Sequence, residues 1–324
     1  MSTTRTALVT GATSGLGFEA AAQLADKGWS SVTITGRSAE RAERAREALV
    51  ERTGKDVFSI LTLDLNSSES VSQAAAELAR RGESVDFLLL NAGMVSGSTR
   101  VKTPEDVEVT FASTIVGHHQ LTMQLLADNT VAENARIVIA GSEAARGDIP
   151  TFNPTDLSVF ATETFDGDLA EAAEALIRGD DSVRYKSATT YADAKTLVAW
   201  WSAQLASRLP AGTTVNAVSP GSVPETNAAR NAEGIMKYVM MPMFKYLPKR
   251  LGMRSSVATG AGRYLDAASY PADVTGRFFA SAPRKTTGPV EVVDLPHLRD
   301  TAAQEAGWSA LVRVSGGVDY PAAA

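Results

Sequence analysis

The sequence predicts a doubly wound α/β fold, a mainly parallel sheet with helices on both faces. Three observations predict it. Apolar runs of strand length alternate with helix-length amphipathic segments along most of the chain. Several runs, such as FLLL at 87–90 and IVIA at 137–140, have no polar alternation, as strands covered on both faces require. A glycine-rich turn also follows directly on the first run. Right-handed crossovers then favour the doubly wound arrangement.

The elements follow in order. TALVT at 6–10 is the first predicted strand, followed by a glycine turn and the helical stretch FEAAAQLADKGW. SVTIT at 31–35 is the second strand, and AERAREALVERTG is a helix closed by Gly54. VFSILTLDL, the helix ESVSQAAAELARRG and the strand FLLLNAG at 87–93 come next. A long helical pattern is expected from Pro104 to about Leu126, before the strand RIVIAGS at 136–142. A second long helix is expected from near Tyr191 to about Leu209, leading into TVNAVSPG at 214–221.

Two stretches interrupt this rhythm, although residues 1–324 read as a single domain. An insertion at about 147–184 is rich in Pro, Asp, Gly and Thr around one helical patch, LAEAAEALI. A segment at about 226–253 is rich in Met and aromatic residues, and residues from about 314 to 324 are expected to form a loosely held tail.

Composition narrows the function classes. Lys and Arg number 31 against 37 Asp and Glu, a net charge of −6. That field repels nucleic acid backbones and anionic membranes, so no nucleic-acid partner is expected. The chain has no cysteine, which excludes disulfides, thiolate catalysis and Cys-based zinc sites. With three histidines, no metal site is expected. No apolar run reaches the ~18 residues needed for a bilayer span. The chain also opens without a signal-type apolar stretch, so a soluble, cytoplasmic protein is expected.

The turn Thr10-Gly11-Ala12-Thr13-Ser14-Gly15-Leu16-Gly17 joins the first strand to the first helix. Glycines permit a tight turn and close approach of a pyrophosphate, while the helix N-terminus offers free N–H groups. This is the phosphate-binding turn of a Rossmann fold, with Gly11, Thr13, Ser14, Gly15, Leu16 and Gly17 as candidate contacts. Folds that prefer NAD usually place a carboxylate at the end of the second strand, to hold the ribose 2′-hydroxyl. Here Gly36 stands there, followed by Arg37, whose guanidinium suits a 2′-phosphate. NADP(H) is therefore favoured over NAD(H), and Arg41 is a candidate helper.

Tyr191 and Lys195 lie four apart, on one face of the expected helix. Tyrosine near its ordinary pKa of 10 is a poor acid–base at neutral pH. An ammonium ~4 Å away at an effective dielectric of ~20 favours the phenolate by about 4 kcal/mol before desolvation. That is roughly three pKa units, enough to bring Tyr191 towards a working range.

With these motifs assembled, the chain resembles the short-chain dehydrogenase/reductase family from Thr6 to about Ala280. The resemblance rests on Thr10, Gly11, Gly15 and Gly17; on Asp64 after the third strand; and on Asn91-Ala92-Gly93. It also rests on Ser142, on the YxxxK of Tyr191 and Lys195, and on the Pro220-Gly221 turn. Gly36-Arg37 and FASTIVGHHQLT look most like NADPH-dependent retinol-dehydrogenase, carbonyl-reductase and protochlorophyllide-reductase members.

The resemblance implies that Tyr191 protonates a carbonyl oxygen as NADPH delivers hydride to its carbon. Ser142 would bond the same oxygen, and Lys195 would lower the tyrosine pKa and hold the nicotinamide ribose. Asp64, Leu65, Asn91, Ala92, Gly93, Pro220, Gly221 and Val223 become further cofactor-contact candidates. One position departs from the family pattern: where relatives carry an Asn supporting a proton relay, this chain has Thr114. His118 and His119 read as structural, since neighbours on a helix point about 100° apart.

The Met-rich segment, with Met236, Met240, Met241, Met243 and Phe244, reads as an adaptable substrate lid. A small-molecule substrate is expected, a hydrophobic aldehyde, ketone or alcohol, with the lid suited to a bulky one. Reduction of an activated C=C bond and a catalytically silent NADP(H)-binding regulator are the alternatives. Trp200 and Trp201 need either a partner subunit or a cover, and the insertion favours a monomer over a homodimer.

Overall fold

The computed structural model describes residues 5–223 and 255–319. Eight strands form one sheet in the order β3-β2-β1-β4-β5-β6-β7-β8. Its strands are β1 (Thr6–Val9), β2 (Ser31–Gly36), β3 (Phe58–Thr62), β4 (Val85–Leu90), β5 (Val131–Ala140) and β6 (Thr214–Val218). The last two are β7 (Phe278–Ser281) and β8 (Val290–Val292). The pairs from β3 through β7 are parallel, and β8 runs antiparallel at the edge. The strand order reverses direction at β1 and β4, the point where such sheets open a ligand crevice beyond the strand C-termini.

The helices cover both faces. On one face lie α1 (Gly15–Asp26), α2 (Ala39–Thr53) and α8 (Val257–Ala267), around a core including Leu24, Ile34, Leu89 and Tyr264. On the other lie α3 (Ser68–Arg81), α4 and α7 (Ser187–Ala206), around Leu88, Ile115, Ile139 and Trp201. α4 begins as Val109–Phe111, passes through a π-helical turn at Ala112–Val116, and continues as Gly117–Ala127. Its start differs from the helix expected from Pro104. Asp106 takes a positive φ of 60°, and the Glu108 carboxylate caps the helix by accepting from the N–H groups of Thr110 and Phe111.

The insertion holds two helices rather than one, α5 (Leu157–Thr164) and α6 (Leu169–Arg178), each capped by an aspartate, Asp156 and Asp168. α7 begins four residues before Tyr191, so Tyr191 sits in its first turns. After the short helix α9 (Pro296–Arg299), α10 (Thr301–Val314) packs on α6 and α7.

The tail expected to be loose from about 314 is held through residue 319. His119 Nε2 donates to the Val318 carbonyl at 2.8 Å, and Trp308 Nε1 donates to Asp319 at 3.1 Å. The first link spans 199 positions and the second 11, and neither is signalled by the glycine-rich composition. Among the described residues no helix is long and apolar enough to cross a membrane. The expected lid at about 226–253 lies outside the described residues.

Candidate active site

The glycine turn opens a cleft of about 280 Å³ at the C-terminal ends of β1, β2 and β4. Gly11, Thr13, Ser14, Gly15, Leu16, Arg37, Asp64, Leu65, Asn91, Ala92 and Gly93 all line it. Thr35, Gly36, Arg41, Leu63, Asn66, Met94 and Ser113 also line it; of these the sequence had pointed only to Gly36 and Arg41. Gly11 and Gly15 take positive φ values of 66° and 60°, which glycine adopts without strain. Gly17 does not line the cleft. It is buried, and a Cβ there would meet the Gly11 carbonyl at 2.5 Å and Asn91 Nδ2 at 2.6 Å. Its role is to let α1 approach the turn.

One hydroxyl ties the turn to the Asn-Ala-Gly segment. Thr10 Oγ1 accepts from the N–H groups of Asn91 at 2.8 Å and Ala92 at 3.0 Å, and lies 2.9 Å from His118 Nε2. The other ring nitrogen, Nδ1, lies 2.9 Å from the Thr114 carbonyl, which can only accept. His118 is therefore a neutral Nδ1–H tautomer that takes the Thr10 proton at Nε2. Burial and the nearby Lys195 charge hold its pKa down at about 4. His119 is also buried, bonded to Trp201 Nε1 at 3.1 Å and to Val318, with a pKa of about 4.

The residues fit a nicotinamide dinucleotide. Ser14 at the N-terminus of α1 makes no side-chain cap, leaving the N–H groups of that turn to face the cleft. Gly36 has no room for a side chain, because a Cβ would sit 2.8 Å from Thr13 Cγ2 and 3.2 Å from Ala42 Cβ. The carboxylate of an NAD-type fold is thus sterically excluded there, while exposed Arg37 and Arg41 flank the gap.

Ser142, Tyr191, Lys195 and Thr114 converge beyond β4 and β5. Ser142 caps a 3-10 turn at Glu143–Arg146, accepting from Ala144 N–H at 3.2 Å, and its hydroxyl bonds that of Tyr191. Lys195 Nζ donates to the Ala140 carbonyl at 2.6 Å and stands 5.7 Å from the Tyr191 ring centre. Thr114 Oγ1 is buried and, among the described residues, has no hydrogen-bond partner. A Cβ on Gly93 would lie 3.3 Å from that oxygen and 4.0 Å from Lys195 Nζ, so both polar atoms face the same backbone at the cleft floor.

The electrostatics differ from the expected lowering of the tyrosine pKa. Burial raises the Tyr191 phenol above its ordinary value, Ser142 partly offsets this, and the Glu143 charge adds to it. Burial also pulls Lys195 down to about 7. An ammonium that is itself desolvated and turned to a backbone carbonyl no longer supplies the full Coulombic attraction reckoned for a charged pair.

Sequence reasoning missed a buried network behind Ser142. Glu143 accepts from Ser219 Oγ at 2.5 Å and from Ser281 Oγ at 3.0 Å, and lies 3.8 Å from Arg263. Arg263 donates to the carbonyls of Ser219 at 3.0 Å and Gly288 at 2.6 Å. This fixes the Pro220-Gly221 turn, whose Gly221 N–H donates to Ser219 Oγ at 3.1 Å. Pro220 and Val223 meet Leu16 around Gly260, where a Cβ would lie within 3.0 Å of all three. The bonds of Glu143 and Arg263 span 18 to 138 positions, so no local pattern in the sequence signals the network.

Comparison with known proteins agrees with this geometry. The short chain dehydrogenase family pattern matches residues 5–172, just over half of the 324 residues. Chloroplastic protochlorophyllide reductase of Chlamydomonas reinhardtii is 30% identical over 257 residues, spanning 76% of this chain and 62% of that protein. Human (Homo sapiens) retinol dehydrogenase 13 is 27% identical over 290 residues, spanning 88% of this chain and 78% of its own. The match thus covers less than two thirds of the algal relative's length. In fold, an uncharacterised Mycobacterium paratuberculosis protein of known crystal structure superposes with a TM-score of 0.68 at 23% identity. That match covers 98% of this chain and 95% of the other. With the family pattern running through the glycine turn, the Asn-Ala-Gly segment and Ser142, the chain belongs to the short-chain dehydrogenase family.

Proposed function

We propose that this chain transfers a hydride between NADP(H) and a carbonyl or alcohol carbon, with Tyr191 as the proton donor in reduction. The observation that carries the reading is the convergence of Ser142, Tyr191, Lys195 and Thr114 next to Gly93, which lines the glycine-rich cleft. A bound reduced nicotinamide supplies the hydride, and the chain supplies the rest. Gly11, Gly15 and the α1 N-terminus would hold its pyrophosphate, and Arg37 with Arg41 would hold a 2′-phosphate.

A phenol with a raised pKa stays protonated at neutral pH, the state needed to donate. Ser142, bonded to Tyr191, orients the substrate oxygen beside that proton. Tyr191 would give its hydroxyl proton to that oxygen, and with the hydride a bound reduced nicotinamide would supply to the carbon the product would be the alcohol. Lys195, with a pKa of about 7, is poised to return a proton to Tyr191. Thr114, unpartnered at the same floor, carries the exchange towards solvent in place of the amide found in relatives.

The expected substrate remains a hydrophobic aldehyde or ketone. Retinol dehydrogenase 13 acts, by name, on a hydrophobic alcohol, in keeping with this reading. The test is consumption of NADPH and of NADH across aldehydes, ketones, quinones and enones, with Tyr191→Phe and Arg37→Ala alongside. Tyr191→Phe should lower turnover by about 10²–10⁴-fold. Arg37→Ala should cut the NADPH preference by about 10–100-fold, the range of a lost charge-assisted bond. Turnover that survives Tyr191→Phe would overturn the assignment of the proton donor.

We also propose a monomer. Trp200 and Trp201 are 7% and 1% exposed, covered by the chain's own elements; Trp200 Nε1 donates to the His297 carbonyl at 2.9 Å. Light scattering at micromolar concentration should return the mass of one chain.

A further inference from the structure

The insertion turns back onto Tyr191. Phe152 N–H donates to the Ile149 carbonyl at 2.9 Å, closing a tight turn that projects the Phe152 ring towards the site. The Phe152 and Tyr191 ring centres are 5.8 Å apart with planes at 57°, within the range of favourable tilted aromatic pairs. Phe152 stays half-buried, with part of its surface open. Besides Ser142, Tyr191 thus has ring neighbours of different origin: Lys195 from its own helix, and Phe152 from the insertion.

The turn is fixed on both sides. Before it, buried Arg146 donates to Asp148 at 3.0 Å, to the Ala282 carbonyl at 3.1 Å and to the Lys285 carbonyl at 2.8 Å. After it, Thr155 donates its N–H at 2.6 Å and its hydroxyl at 3.0 Å to the Asp193 carboxylate. Asp193 lies inside the YxxxK motif, two residues from Tyr191, so the turn and the tyrosine are bound to one helix.

We propose that Phe152 is a specificity-determining residue. It forms an aromatic wall beside Tyr191 that favours carbonyl substrates bearing a flat aromatic or conjugated group over saturated ones of equal size. This rests on the carbonyl-reduction reading above. A carbonyl oxygen bonded to the Tyr191 hydroxyl places the group attached to that carbonyl within reach of a ring 5.8 Å from the tyrosine. A planar group can pair with that ring, whereas a saturated ring fills the same volume without a π face. Because the turn is already pinned, binding does not have to order the wall.

The test compares benzaldehyde with cyclohexanecarbaldehyde, a size-matched pair, on wild type, Phe152→Leu, Phe152→Tyr and Thr155→Val. The same proteins are titrated calorimetrically with benzyl alcohol and cyclohexylmethanol. The ratio of kcat/KM values, aryl over cyclohexyl, should fall about 3- to 10-fold in Phe152→Leu, chiefly through KM, and persist in Phe152→Tyr. Thr155→Val, which leaves the ring in place but loosens its clamp, should lower the ratio by a smaller factor. An active Phe152→Leu enzyme with an unchanged ratio would overturn the proposal and leave carbonyl reduction standing. If neither aldehyde is reduced, a Phe152-dependent preference for benzyl alcohol would uphold the wall while carbonyl reduction fails. Equal affinity for the two alcohols in that case would overturn the wall as well.

Discussion

Asp193→Asn should make the protein more stable, increasingly so as the pH rises. The carboxylate is buried on α7 with Thr155 as its hydrogen-bonding partner, and burial pushes its pKa from 3.8 to about 7. An acid whose folded pKa is raised binds more protons folded than unfolded between those two values. Its contribution to stability is present in full below pH 3.8 and is lost as the pH rises through about 7. A shift of about three units corresponds to at most about 4 kcal/mol, of which roughly 2.5 kcal/mol falls between pH 5 and pH 8.

Asparagine keeps the geometry: its carbonyl accepts the Thr155 N–H and its amide donates to the Thr155 hydroxyl, with no charge to desolvate. Buried His118 and His119 have the opposite slope. Their folded pKa values of about 4 lie below the ordinary 6.5, so their contribution is lost as the pH falls through that interval. The informative quantity is therefore the difference between Asp193→Asn and wild type at the same pH, from urea unfolding at pH 5, 6, 7 and 8. The gain should widen from pH 5 to about pH 7 and level off towards pH 8. A difference that stays constant across the series would refute the assignment of a raised Asp193 pKa.

Three further outcomes follow from the same geometry. Thr114→Val should leave stability unchanged or raise it by up to about 1 kcal/mol in thermal melts, because Thr114 Oγ1 has no partner to lose, yet should lower turnover with any substrate the enzyme reduces. Gly17→Ala should cost about 1–3 kcal/mol or more and abolish tight NADPH binding by fluorescence titration, because its Cβ would meet backbone at 2.5 Å. Trp201→Phe should destabilise by about 1–3 kcal/mol in urea unfolding, since it leaves His119 Nδ1 buried without its indole donor.

The sheet up to β6 and the cofactor side of the site were legible because both are encoded locally. Apolar runs report strands, and the glycine spacing reports a turn that only certain backbones can make. Tyr191 and Lys195 were legible for the same reason, being one helical turn apart. β7 and β8 were not: FFAS is four residues long and is flanked by Arg277 and Pro283, too short for a periodic signal. α5 escaped because it spans only eight residues and its cap, Asp156, lies among other Asp and Pro residues.

What the site owes to distant pairs was hidden altogether. Glu143 with Arg263, Thr155 with Asp193, and Phe152 with Tyr191 join segments whose spacing carries no rule. The tyrosine pKa was misjudged for a related reason. Pair spacing announces an attraction, whereas desolvation depends on everything packed around the pair.

The docking of residues 301–319 also bears on how the molecule is made. α10 and the Val318 carbonyl cover a face built by α4 and α7, which leave the ribosome far earlier. Until α10 emerges, Trp200 and His119 lack the cover of Gly307 and Trp308, and a growing chain presents a sticky aromatic surface to its surroundings. Docking of α10 thus shields, after the fact, a surface built by segments translated well before it. Chaperone dependence should concentrate in that interval.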